Sequence, residues 1–252
     1  LLVKQVVSTL YSINAQTGTV LSSVALSGGS TNLSGLEWDA GENVLYALAT
    51  VGGGDKQVAS VVVATGVVTL LGSPLAGTSL SAISGSDDLD ATGNRYLFNG
   101  QPMGGNPKIY AVSTASGAVL TNPDLSGAAT NGLLGLEYDA GENVLYGLAS
   151  VGAGDRQIAT INTATGAVTL VGAPIASVSL STTSGADTLD PSGNRYFFAG
   201  QPAGGNPKIY SINTTNGMVV TNPDLSGDSL VLLGLEWDAG MLPVELLGFE
   251  VE

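Results

Sequence analysis

The sequence contains no cysteine and no histidine. Their absence removes disulfides, thiolate and imidazole metal centres, and every nucleophile or base built on those side chains. Charge is scarce as well: 11% of the 252 residues are Asp, Glu, Lys or Arg, against roughly a quarter in an ordinary soluble domain. What charge there is has mostly one sign, with seven Lys and Arg against 21 Asp and Glu and a net charge of −14. Seven scattered cations make no phosphate-tracking stripe, so no nucleic-acid partner is expected. Long apolar runs are missing too. The most apolar stretch, 58–71, is interrupted by Ser60, Thr65, Gly66 and Thr69 and falls short of the roughly 18 residues that a membrane helix needs. No membrane insertion is expected. The chain opens on Leu1 instead of Met, which reads as an N-terminus left after removal of a signal peptide.

What is present is repetition. GLEWDAGENVLYALATVGGGDKQ starts at Gly35, GLEYDAGENVLYGLASVGAGDRQ at Gly135, and GLEWDAG returns at Gly234. A second family interleaves: GNRYLFNGQPMGGNPKIY from Gly93 and GNRYFFAGQPAGGNPKIY from Gly193. The period of about 100 residues is therefore two alternating units of about 50. Each unit carries two turn signatures. Gly18, Gly66, Gly117, Gly166 and Gly217 close small polar turns, each followed two residues later by Val and preceded at five and seven residues by apolar positions. Asp39, Asp90, Asp139, Asp190 and Asp238 open a second turn, before aromatic-rich segments such as NVLYALA and NRYFFAG. Apolar residues spaced by two on either side of a turn predict β-hairpins, two per unit and hence four strands. No stretch carries capped helical periodicity.

Four-stranded units of this length are the size of propeller blades. The expected fold is all-β: a five-bladed β-propeller of four-stranded antiparallel blades in one domain. Its blade units span about 32–72, 79–125, 132–172 and 179–225, with a fifth made of 232–252 together with 1–28. On this reading residues 1–28 supply only the second hairpin of the fifth blade.

At LYSINAQTGTV, residues 10–20, the chain resembles the repeats of secreted bacterial β-propellers of the quinoprotein-like and YVTN surface-layer type. The resemblance implies the fold more than a function, and the quinoprotein cofactor residues have no counterpart here. LPVELLGFEVE, Leu242 to Glu252, resembles the segment that precedes the sorting region in clients of type IX secretion. It implies export to the cell surface or beyond.

Three chemistries have candidate residues. Glu37, Asp88, Glu137 and Glu236 stand at equivalent positions two before the recurrent Asp. On an innermost strand they would ring a channel, repel one another, and favour a bound cation such as Ca²⁺. DLDATG, Asp88 to Gly93, also resembles part of a calcium loop, but Asn99 stands where the bidentate acid belongs. No other cofactor is implied. Glycoside hydrolysis needs an asymmetric carboxylate pair, and these acids follow the repeat, so an enzyme is not expected. Gln101, Asn106, Gln201 and Asn206, in the paired loops GQPMGGNPKIY and GQPAGGNPKIY, are candidates for hydrogen bonding to a glycan, as in an adhesin. The recurrent Asp residues have a structural role, capping the amides of their own turns.

The remaining features point to self-association. Leu1, Leu2, Val3, Val6 and Val7 at one end, and Val244, Leu246, Leu247 and Phe249 at the other, lie in segments that read as strands with unpaired edges. Mean hydropathy is +0.31, and little surface charge opposes stacking. The expected function is an extracellular structural subunit. Copies would join head to tail through terminal strand exchange into a filament or surface layer. A propeller that binds surface glycans through its loops is the alternative.

Overall fold

The computed structural model describes residues 2–6, 9–13, 19–30, 32–75, 77–80, 87–128, 132–152, 154–180 and 187–225. These residues are almost entirely strand and turn, with one short 3-10 turn at Gly52–Gly54. They divide into two compact units, one reaching Pro123 and the other starting at Asp124.

The first unit opens with a three-stranded antiparallel sheet of β1 (Leu2–Val6), β2 (Thr9–Ile13) and β3 (Val20–Ala25). A five-stranded sheet follows: β4 (Ser27–Gly28), β5 (Leu33–Asp39), β6 (Val44–Thr50), β7 (Lys56–Val62) and β8 (Val67–Leu70), in the order β5-β6-β7-β8-β4. Four strands form an antiparallel meander, and β4 lies parallel to β8. The next sheet has β9 (Thr78–Leu80), β10 (Asp87–Asp90), β11 (Arg95–Pro102), β12 (Lys108–Ser113) and β13 (Val119–Thr121). Here β9 and β10 share one side of β11, each covering part of its length. The second unit repeats the pair. One sheet has β14 (Ser126–Gly127), β15 (Leu133–Asp139), β16 (Val144–Val151), β17 (Asp155–Ile161) and β18 (Ala167–Leu170). The other has β19 (Val178–Leu180), β20 (Asp187–Asp190), β21 (Arg195–Pro202), β22 (Lys208–Asn213) and β23 (Val219–Thr221).

Four sheets thus have the full meander of a propeller blade, where five were expected. The fifth has three strands among the described residues, and 232–252, expected to contribute to it, lie outside them. The N-terminal share is also larger than expected. Leu2–Val6 adds a strand to β2, so this end supplies three strands and not one hairpin.

The turns explain the recurrent residues. Asn43, Asn94, Asn143 and Asn194 end the Asp-initiated turns with φ of 58°, 52°, 56° and 51°, a left-handed conformation that Asn tolerates better than most side chains. Gly66 and Gly166 hold φ of 69° and 74° in the other turn. A Cβ on Gly66 would strike the Ala25 carbonyl, and one on Gly166 the Asp124 carbonyl. These glycines therefore serve twice: they turn the hairpin and admit the incoming connection.

Burial follows the layering. In the first unit Tyr46, Leu48 and Val58 pack with Tyr96, Phe98, Tyr110 and Val112 between its two five-stranded sheets. Leu45, Ala49, Ala59, Val61 and Val68 pack with Leu10 and Leu26 on the side of the three-stranded sheet. Consecutive residues 45–49 are all buried because this sheet is covered on both faces, which converts alternation into a continuous apolar run. Phe98 stacks on Tyr110 with centroids 4.8 Å apart, and Phe198 on Tyr210 at 4.9 Å.

Candidate functional site

The most informative edge belongs to β1. Its register on β2 places Leu2 opposite Ile13. In the complete sheets the same place is held by Leu45 opposite Val61 and Leu145 opposite Ile161. Hence β1 stands where β6 and β16 stand. Those strands carry β5 and β15 on their other side. Among the described residues no strand pairs with that side of β1, the side on which a propeller blade carries a further strand. Of the residues expected to mediate assembly, Leu2, Val3 and Val6 lie in β1. Leu1, Val7, Val244, Leu246, Leu247 and Phe249 lie outside the described residues.

The outer strands add apolar surface. β4 and β14 cover the ends of β8 and β18, whereas β13 and β23 are the last strands of their sheets among the described residues. Leu120 is 51% exposed and Val220 42%, with Val119, Met218 and Val219 beside them. On β3, Val20 and Leu21 are exposed as well.

Two of the candidate carboxylates, Glu37 and Asp88, lie near enough to the Tyr96 phenol for both to raise its pKa. Glu37 and Glu137 sit on β5 and β15, Asp88 on β10, and Glu236 outside the described residues. Asp88 Oδ1 accepts a bond from the Leu89 amide at 2.7 Å. Among the described residues no three Asp or Glu side chains gather in a way that would hold a metal ion. The recurrent Asp residues act on their own turns. Asp39 Oδ1 accepts from the amides of Gly41 and Glu42 at 2.8 and 3.0 Å, and Asp139 does the same to Gly141 and Glu142. Asp90 accepts from the Gly93 amide, the Thr92 hydroxyl and Arg95 Nε. Burial opposes its ionisation, but these donors outweigh burial and hold its pKa below the usual carboxylate value.

The loop amides are spent locally. Gln101 and Gln201 each donate from Nε2 to the carbonyls of Gly105 and Gly205 at 3.0 Å, closing their own loops. Asn206 donates to Asp224 at 3.2 Å, which also pairs with Lys208. Asn106 lies in the matching loop before β12.

One cluster was not singled out in the sequence. The Tyr96 hydroxyl donates to the Asp87 carboxylate and lies 2.7 Å from the Gly35 carbonyl oxygen. It ties β11 and β10 to the bulge where β5 shifts register. The repeat reproduces it: the Tyr196 hydroxyl lies 2.7 Å from Gly135 O and 2.8 Å from Asp187 Oδ2. Gly35 and Gly135 hold positive φ, and a Cβ on either would collide with the carboxylate and phenol. Burial pushes the Asp87 carboxyl up from 3.8 to about 6, against the lowering effect of the Tyr96 bond. Burial, then the charge of Asp87, raises the Tyr96 phenol well above its ordinary value. The signal available in the sequence was the Tyr that follows GNR at 96 and 196, nine residues after an Asp each time.

No helix among the described residues is long and apolar enough to cross a membrane. No protein-family model matches the chain, and no curated protein matches it. Solved structures do. TolB from Acinetobacter baumannii aligns with a TM-score of 0.57 at 16% identity, over 86% of this chain and 49% of its own. A protein described as TolB from Agrobacterium tumefaciens gives 0.58 at 15%, over 87% of this chain and 76% of its own. GH43B of the xyloglucan PUL of Bacteroides ovatus gives 0.50 at 13%, over 80% of this chain and 42% of its own. The chain spans about half the length of the first of these. At such identities the likeness speaks to the fold alone, and that fold is an all-β propeller.

Proposed function

We propose that this chain is a non-enzymatic structural protein of the cell exterior. Copies of it associate through terminal β-strands into a filament or surface layer. The observation that carries this reading is the edge of β1, which occupies a position that accepts another strand in both β6 and β16. Main-chain pairing at such an edge supplies cohesion without charged or polar side chains, which suits a chain with 11% charged residues. The exposed apolar residues of β3, β13 and β23 give the sides of neighbouring subunits something to bury. Completion of β1–β3 by C-terminal residues makes a fifth blade. Export rests on the likeness of Leu242 to Glu252 to type IX secretion clients.

Glycan binding has weaker support, because Gln101, Gln201 and Asn206 already bond within their own loops and a sugar would have to displace those bonds. The test is removal of residues 1–7. The shortened chain is expected to stay folded by circular dichroism and to sediment as a single copy at concentrations where the parent forms large assemblies. Equal assembly of both chains, or a parent that never associates, would overturn the proposal.

A further inference from the structure

We propose that Asp87 is a proton-operated latch between the two five-stranded sheets of the first unit, closed while its carboxyl holds a proton and broken when the proton leaves. This goes beyond the assembly reading and does not depend on it. The Tyr96 hydroxyl stands at hydrogen-bonding distance from two acceptors, the Gly35 carbonyl oxygen at 2.7 Å and Asp87 Oδ2. A phenol has one proton to donate, so it serves one of them at a time. When Asp87 is ionised it is the stronger acceptor and takes that proton. The Gly35 carbonyl then faces the lone pairs of the phenol oxygen. When Asp87 is protonated, its own O–H donates to the phenol oxygen and the phenol donates onward to Gly35. Both contacts are then bonds, and the chain runs from β10 through β11 to β5. The second unit repeats the geometry. The Tyr196 hydroxyl lies 2.7 Å from Gly135 O and 2.8 Å from Asp187 Oδ2, so two protons are required there as well.

The surroundings favour the neutral carboxyl. Asp87 stands opposite Phe98 of β11, and β10 lies against β5. Glu37 on β5 and Asp88 on β10 act on the Tyr96 phenol, and their charges oppose a further one at Asp87. Two more phenols, Tyr46 of β6 and Tyr110 of β12, pack in the cluster around Tyr96 and Phe98. No described cation stabilises the charged form of Asp87, and burial raises its carboxyl to about 6 against the pull of the Tyr96 bond. The latch is therefore complete below about pH 6 and lost above it. What it holds is the bulge of β5. Gly35 sits there at positive φ, where β5 shifts register on β6, and a Cβ on it would collide with the Asp87 carboxyl. Loss of the proton frees this bulge from β10 without touching the ladder between β6 and β7.

Amide hydrogen exchange of the full chain at pH 5 and pH 8, corrected for the intrinsic pH dependence of exchange, reads the latch. Between the two conditions the amides of β5 and β10 should lose protection several-fold more than those of β7 and β12 in the same unit. Asp87→Asn keeps a donor toward the phenol at every pH, so its β5 amides should stay as protected at pH 8 as at pH 5. Tyr96→Phe removes both bonds, so β5 should be equally unprotected in both conditions. A carbon NMR titration of the parent's Asp carboxyls needs no variant and decides the matter where a substitution disturbs folding. The resonance assigned to Asp87 should keep the shift of a neutral carboxyl well above the pH of about 4 at which ordinary Asp side chains ionise. An Asp87 carboxyl that ionises with the others overturns the proposal. So does the same pH-dependent loss of β5 protection in the parent and in Asp87→Asn.

Discussion

Gly53 and Gly66 both hold positive φ, 75° and 69°, for different reasons. A Cβ at Gly53 would meet nothing within 4 Å, whereas at Gly66 it would strike the Ala25 carbonyl. Gly53→Ala therefore costs only the left-handed backbone, about 1 kcal/mol. Gly66→Ala adds displacement of a neighbouring backbone and should cost more than that, as the difference in urea midpoints will show. The turn role of Gly66 was legible in the sequence from its polar neighbours and following Val. Its second role was not, because the carbonyl it admits lies some forty residues earlier in the chain. Asp87 has the same history. The neighbouring Asp88 drew notice by following the repeat, while Asp87 acquires its chemistry from Tyr96 and Gly35, brought close only by folding. Burial raises the Asp87 pKa to about 6, so the folded state binds its proton more tightly than the unfolded chain. The stability this group contributes is fully present below its unfolded value of 3.8 and is lost as pH rises through about 6. Cooling of net repulsion on acidification works in the same direction, so the variant is the control. Thermal midpoints between pH 7 and pH 5 should rise in the parent, and Asp87→Asn should flatten that rise. An identical slope in both would show that Asp87 titrates normally.

At the scale of elements, hairpins were readable wherever alternation met a turn residue, as in β6–β7 and β16–β17. Strands buried on both faces were readable as apolar runs bounded by Asp and Gly turns. The split of one strand position into β9 and β10 was not, because three-residue segments such as Thr78–Leu80 leave too little pattern to count. The short strands β4 and β14 were missed for the same reason, since two residues carry no period. What the elements share is a contact between successive sheets within each unit, anchored by aromatic residues. Phe98 is 0% exposed and stacked on Tyr110. Phe98→Ala should cost about 3–5 kcal/mol by the cavity it leaves, read as a loss in the denaturant midpoint. Tyr96→Phe tests the polar part of the same contact. It leaves the Gly35 carbonyl and the Asp87 carboxyl without their phenol, and should cost about 1–3 kcal/mol. No change in midpoint would mean that water replaces the hydroxyl without loss.

At the scale of the whole molecule, an all-β repeat could be read from recurrence alone, since a period near 50 residues with two turn signatures leaves few architectures. The blade count could not. Residues 1–28 read as one hairpin preceded by a strand-forming segment, LLVKQVV, and in the structure Leu2–Val6 of that segment takes the strand position equivalent to β6. Among the described residues that position has no strand on the side where the complete sheets have a further one, and the proposed assembly turns on it. The low charge and exposed outer strands provide little opposition to lateral contact. Electron microscopy of the unfixed protein over a concentration series tests the claim most directly. Regular filaments or sheets should appear as concentration rises, with a repeat close to the size of one subunit. Isolated single particles at every concentration would contradict it.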